Sequence, residues 1–372
     1  MRTAENRLNV RCLYVLGAGA SFSASSHARS EARQAPLDKD FCRRILELDV
    51  QRPHWVGVAR TRLLRSWKDH TPLPELGLEY AILRQLGHLD FIQAIHPARK
   101  RGTLPATDFL NDVAHLACFV LNRARESSSQ PYARFVKNVF PRTMAAERLR
   151  DRIITFNYDS LLDSHIVARF GAERTYFDRI LRERITSTEK KKRKRKRKRT
   201  IRFAHPFMVK LHGSINWRCS TDEFSSLIAD LPEGDNPHHI PNVWWQDGRM
   251  PSPDDDVSPV LIPPLPVKPI TSIKLFNFLW TKAFEYLHEA EELVVCGYSL
   301  PDADRLAMSL FGGFKNASLR KITVVDPDAG VVSRWRDLVN RNGVSRPVWQ
   351  YHADFAEYVD SMEHSQQRGT RR

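Results

Sequence analysis

The side chains able to do chemistry in this chain of 372 residues stand at the ends of short apolar runs. The first such run is Leu13-Tyr-Val-Leu-Gly-Ala-Gly-Ala-Ser21, which ends in two glycines one residue apart. A turn of this kind lets the backbone approach a phosphate, with the N–H groups of the following helix and the Ser21 hydroxyl as donors. The same spacing also serves as a plain tight turn from strand to helix. Four more runs end comparably. Asn157-Tyr-Asp159 follows Arg152 to Phe156, and His212-Gly-Ser214 follows Pro206 to Leu211. Gly297-Tyr-Ser299 follows Glu292 to Cys296, and Asp326-Pro-Asp328 follows Lys321 to Val325. Each polar group has a structural reading beside its chemical one. Asn157 and Asp159 could cap a helix, Asp326 could initiate a turn, His212 could bond to backbone, and Trp217 could be a core aromatic or a pocket wall.

Those residues need a scaffold that brings strand ends together. Strand and helix alternate over the second half, with helices expected near Ser160 and after Pro301-Asp-Ala-Asp304. Leu275, Leu279, Ala283 and Leu287 recur at i+4, with Glu285, Glu289 and Glu291 on the other side, as in a crossover helix packed on a sheet. The fold class predicted is therefore α/β, a doubly wound parallel sheet, in which ligands lie outside the carboxyl ends of the strands. Between the first strand and Leu149 the spacing is helical, with stripes at Leu76, Tyr80, Leu83 and Leu86 and at Leu110, Ala114, Ala117 and Leu121. This predicts a helical layer inserted over about residues 40–149, its amphipathic start near Asp38. His88, His96 and His115 within it have no partner at metal-ligand spacing and read as surface or packing residues. The segment from Phe22 to Gln34 reads as a loop that folds over a ligand, and Glu363 to Arg372 as a frayed end.

Composition narrows the classes. The net charge of +15 is concentrated in Lys190 to Arg199, an unbroken basic run of ten, without which the chain would carry +5. That run, in a loop over about 186–202, reads as solvated and disordered, or as a non-specific phosphate-binding arm, or as a nuclear address. It has no aromatic residue to stack on bases. Five scattered cysteines, none at a Cys-x-x-Cys spacing, read as reduced thiols of a cytoplasmic protein, with no disulfide framework and no zinc ribbon. No apolar stretch is long enough for a membrane span, and Met1 to Val10 lacks the apolar core of a secretory signal.

A nicotinamide dehydrogenase is disfavoured. The third glycine of its fingerprint would fall at Phe22, and no acidic residue ends a second strand about twenty residues on. Gly17-Ala-Gly-Ala-Ser21, Thr155-Phe-Asn-Tyr-Asp159, Lys210-Leu-His-Gly-Ser214 with Trp217, Gly297-Tyr-Ser-Leu300 and Val324-Val-Asp-Pro327 instead resemble the sirtuin family, in the order that family uses. The sequence is most similar to the bacterial sirtuin-like domains that cleave NAD in antiphage defence. The resemblance implies one NAD-binding domain over 1–355 and a tail over 356–372. It also implies that Gly17, Ala18, Gly19 and Ser21 cradle the pyrophosphate, and that Asn157 holds the nicotinamide ribose or the attacking water. Asp159 would lie on the carboxamide side, and His212 would be the general base. Gly297 and Ser299 would line the phosphate and ribose side, and Asp326 would accept from the adenosine ribose.

The implied activity is hydrolysis of NAD, a substrate here, to nicotinamide and ADP-ribose, with no metal. Loss of neutral nicotinamide builds oxocarbenium character on the sugar and needs little acid catalysis. One base near the sugar and a site that excludes stray water would suffice, and an imidazole suits neutral pH. Two departures from the deacylating sirtuins stand out. Cys219 is alone where those enzymes carry four zinc-binding cysteines, which disfavours deacylation, and Phe22 to Gln34 lacks their cofactor-loop elements. The alternatives are a module that senses NAD or ADP-ribose while its basic loop docks on nucleic acid or a partner, and a protein deacylase or ADP-ribosyltransferase. Such a hydrolase would be held inactive until infection or assembly triggers it, so the expected partners are further copies of the chain as a homo-oligomer, a regulatory protein or a phage trigger.

Overall fold

A computed structural model describes residues 10–26, 31–48, 54–67, 106–141, 149–172, 175–176, 206–220, 244–245, 257–262, 274–301, 304–313, 315–343 and 347–370. The basic run, the Leu76 to Leu86 stripe, His88 and His96, and residues 27–30 of the expected ligand loop lie outside the described residues.

Nine strands are described: β1 Cys12–Leu16, β2 Arg152–Thr155, β3 Met208–Lys210, β4 Gly213–Ser220, β5 Trp244–Trp245, β6 Val257–Leu261, β7 Glu292–Cys296, β8 Lys321–Val325 and β9 Val348–His352. The helices are α1 Ala18–Ala24, α2 Asp38–Leu46, α3 His54–Trp67, α4 Ala106–Asn122, α5 Pro131–Val139, α6 Leu161–Phe170, α7 Lys274–Glu289, α8 Arg305–Gly312, α9 Ala329–Arg341 and α10 Phe355–Thr370. Six strands form one parallel sheet in the order β3-β2-β1-β7-β8-β9. All five residues of β1 are buried, and β7 and β8 are buried except at their first residue. Strands covered on both faces read as unbroken apolar runs, which is why these three were legible.

The chain starts in the middle of the sheet, moves outward through β2 and β3, then returns to the other side of β1 for β7, β8 and β9. The strand order therefore reverses between β1 and β7, and the crevice of an open parallel sheet forms at that point. Register fixes which residues share its rim. Lys210, Thr155, Leu16, Cys296, Val325 and His352 lie in one row across the sheet. The residues that follow them all emerge at the same carboxyl edge.

Helices α2 to α5 lie between β1 and β2. Ala114, Ala117 and Leu121 of the expected stripe are buried on α4, and His115 is buried with its ring against Trp55 at 6.1 Å. In α7, Leu275, Leu279, Ala283 and Leu287 are all buried, as their spacing predicts. The connection from β3 to β7 also carries a small antiparallel sheet, β5-β4-β6.

One correction concerns the carboxyl terminus. Residues 356–372, expected as a tail, instead belong mostly to α10, which reaches Thr370. Its Phe355 packs on Tyr132 and Phe135 at 5.0 and 5.4 Å, and Tyr358 and Val359 are buried. Arg134 of α5 clamps the helix from outside through Asp360 and Glu363, at 2.5 and 2.7 Å. These apolar residues anchor the start of α10 on α5.

Candidate functional site

The rim of the crevice is built first from backbone. Gly17 N–H donates to Cys296 O at 3.0 Å and Gly19 N–H to Gly297 O at 2.9 Å, so the turns after β1 and β7 are laced together. Gly297 has φ +58°, and a Cβ there would stand 2.2 Å from Ala20 N. A Cβ on Gly17 would stand 2.4 Å from Gly297 O. In this geometry the glycines serve the close approach of one backbone to another. Ala20 N–H is likewise spent on Gly17 O at 3.0 Å. Ala18, the first residue of α1, is exposed at this turn.

Asn157 stands two residues beyond β2 and is 9% exposed. Its Nδ2 donates to Gly17 O at 2.9 Å and to Ser21 Oγ at 3.0 Å. Both amide hydrogens are thus used to tie β2 to the glycine turn, and Oδ1 is the side-chain atom left to meet a ligand. Ser21 Oγ shares a further hydrogen bond with Tyr132 OH at 2.8 Å. The hydroxyl expected to donate to an anion lies inside a buried network, and burial raises the Tyr132 phenol well above its ordinary pKa. Asp159 accepts from Leu161 N–H at 3.0 Å, so it holds the start of α6. Its carbonyl accepts from Lys210 Nζ at 2.6 Å, and that ammonium also meets Asp163 at 2.7 Å in a fully buried pair.

His212 follows β3 by two residues and is also 9% exposed. Its ring stands edge-on to Phe156 at 5.3 Å and lies near Tyr158 at 5.9 Å, so the two residues flanking Asn157 both touch it. Gly213 has φ +86°, and a Cβ there would stand 2.1 Å from Val260 O. That conformation turns the chain from β3 straight into β4 and leaves His212 at the corner. His212 Nε2 lies 3.2 Å from Asp304 Oδ2. Asp304, 3% exposed, is the N-cap of α8, and its Oδ1 accepts from Ala307 N–H at 3.3 Å. It was legible in sequence only as a helix start, because nothing in linear spacing connects it to His212.

On the far side the groups are more open. Tyr298 stacks on Phe156 at 4.1 Å with the rings nearly parallel, an aromatic bridge over the end of β1. Ser299 is exposed, and its carbonyl accepts from Arg334 Nε at 3.0 Å. Asp326 Oδ1 accepts from Asp328 N–H at 3.0 Å, the turn its sequence suggested. Burial raises its carboxyl pKa above the ordinary value, with Asp328 adding to that and the Asp328 N–H and Arg334 opposing it. Trp217 is wholly buried with its ring edge-on to Tyr176 at 5.5 Å, a core residue of β4.

All five cysteines are buried, none of them in a disulfide, and no group of three His, Cys, Asp or Glu is placed to hold a metal among the described residues. No described helix is long and apolar enough to cross a membrane. No protein-family model and no curated protein matches the chain.

Proposed function

We propose that this protein is a sirtuin-like NAD hydrolase that releases nicotinamide and ADP-ribose, and that α2 to α5 are the helical layer inserted into that fold. The observation that carries the reading is that Asn157 and His212 stand at the same carboxyl edge of the sheet, with the His212 ring against Phe156 and Tyr158, the two residues that flank Asn157. They stand on adjacent strand ends, both nearly buried, beside the glycine turn that closes on β7. A ligand seated there would place its nicotinamide ribose toward Asn157 and His212, and its pyrophosphate and adenosine toward Ala18, Ser299 and Asp326.

The chemistry asked of these side chains is small. As the bond from C1 of the ribose to nicotinamide breaks, the electron pair leaves with neutral nicotinamide and positive charge develops on the sugar. Water held by Asn157 Oδ1 adds to that carbon, and His212 takes the proton. The aromatic walls of Phe156, Tyr158 and Tyr298 keep other water out and hold the ring in place.

The test is nicotinamide release from NAD by the purified protein, beside Asn157→Ala and His212→Ala. The expected result is turnover in the parent and a loss on the order of 10²–10⁴ in each variant. Binding of ADP-ribose with no turnover in any of the three would favour the sensing module, and absence of both would end the nucleotide reading.

A further inference from the structure

We infer that Asp304 is the positioning residue for His212, fixing the tautomer and ring orientation that the base needs. This rests on the reading of His212 as the proton acceptor. The contact joins two distant parts of the sheet: β3 and β7 stand three interstrand spacings apart, about 14 Å. The chain after β7 must cross above β1 and β2 to make it. It does so through two left-handed residues, Gly297 at φ +58° and Leu300 at φ +53°, the second a conformation that costs a leucine energy. Leu300 is buried, so packing holds it there.

The carboxylate divides its oxygens. Oδ1 takes the first-turn N–H of Ala307, and this cap fixes the rotamer. Oδ2 lies 3.2 Å from Nε2 of the imidazole. An acceptor at that place holds the proton on Nε2, puts the lone pair on Nδ1, and stabilises the imidazolium once a proton has been taken. A residue that only capped α8 would have no need to bury its second oxygen against a histidine from another strand.

Asp304→Asn separates the two roles. The asparagine oxygen keeps the cap, whereas its Nδ2 replaces an acceptor with a donor opposite Nε2 and forces the other tautomer. The expected outcome is a fall in kcat for nicotinamide release on the order of 10²-fold or more, with KM for NAD within about threefold and the melting temperature nearly unchanged. The low-field proton resonance of His212 Nε2–H, assigned by its loss in His212→Ala, should be present in the parent and absent in Asp304→Asn. Asp304→Ser, which can also cap, should show the same kinetic loss. Parental kcat in Asp304→Asn together with an unchanged resonance would overturn the inference. If the parent releases no nicotinamide, the hydrolase reading fails, and the resonance still decides whether Asp304 sets the tautomer of His212.

Discussion

The two sides of the crevice are built differently. On the side of β2 and β3, Asn157, Asp159 and Ser21 are buried and tied to one another or to backbone by short hydrogen bonds, and buried His212 lies 3.2 Å from Asp304. On the side of β7 and β8, Ser299 is exposed and Asp326 is half-buried. Precision is concentrated where a reacting atom would sit, and access where the long remainder of a dinucleotide would lie. Rigid, dry surroundings serve bond breaking, whereas a charged pyrophosphate favours an open rim that need not desolvate it fully.

Three substitutions probe that contrast. The largest effect is expected at the seam between the sides. Gly297→Leu must adopt φ +58° and place a Cβ into the turn after β1, so it should cost on the order of 4 kcal/mol or more, read as a lower urea midpoint. On the buried side, Lys210→Met strands Asp163, whose carboxyl is already pushed up by burial and relieved by Lys210. We expect a loss of about 3–5 kcal/mol, most of it recovered in the double variant with Asp163→Leu. On the open side, Asp326→Asn keeps an acceptor for the Asp328 N–H and removes a charge the native state disfavours. Because the native pKa is raised, ionised Asp326 opposes folding at neutral pH. That cost fades as pH falls through the native value and is absent below the unfolded value of about 3.9. With solvent screening the variant should gain no more than about 0.5 kcal/mol at pH 7 and nothing at pH 3. A large gain at pH 7 would mean that the open side is as tightly packed as the buried one.

Much of the scaffold could be read from the chain because continuous apolar runs mark strands that helices cover on both faces. The spans of β7 and β8 follow directly from Glu292 to Cys296 and Lys321 to Val325. β9 was missed because it is an edge strand with Val348 and Tyr351 exposed and no buried residue, so it carries no continuous apolar run. β6 contains Pro259, which an edge strand tolerates and a central one would not, and that hid the second sheet. At the site, residue types marked Asn157 and His212, but their neighbours depend on register and on a crossing loop. Asp304 lies ninety-two residues from His212 in the sequence, and Tyr132 stands on a helix far from the glycine turn it braces. The glycines were legible as a close approach, but whether ligand or backbone makes that approach is a matter of tertiary contact.

The pairing of β1 with β7 joins Leu13 to Leu293, residues 280 positions apart. During synthesis at ~5–20 residues per second, roughly 15–60 s separate the emergence of the two strands. For that interval a growing chain already carries Asn157 and, later, His212, yet it lacks the wall that completes the crevice and the carboxylate that reaches the imidazole. The strand order thus works as a timer, withholding the assembled site from any nascent or prematurely ended chain that has not yet reached β7 and α8.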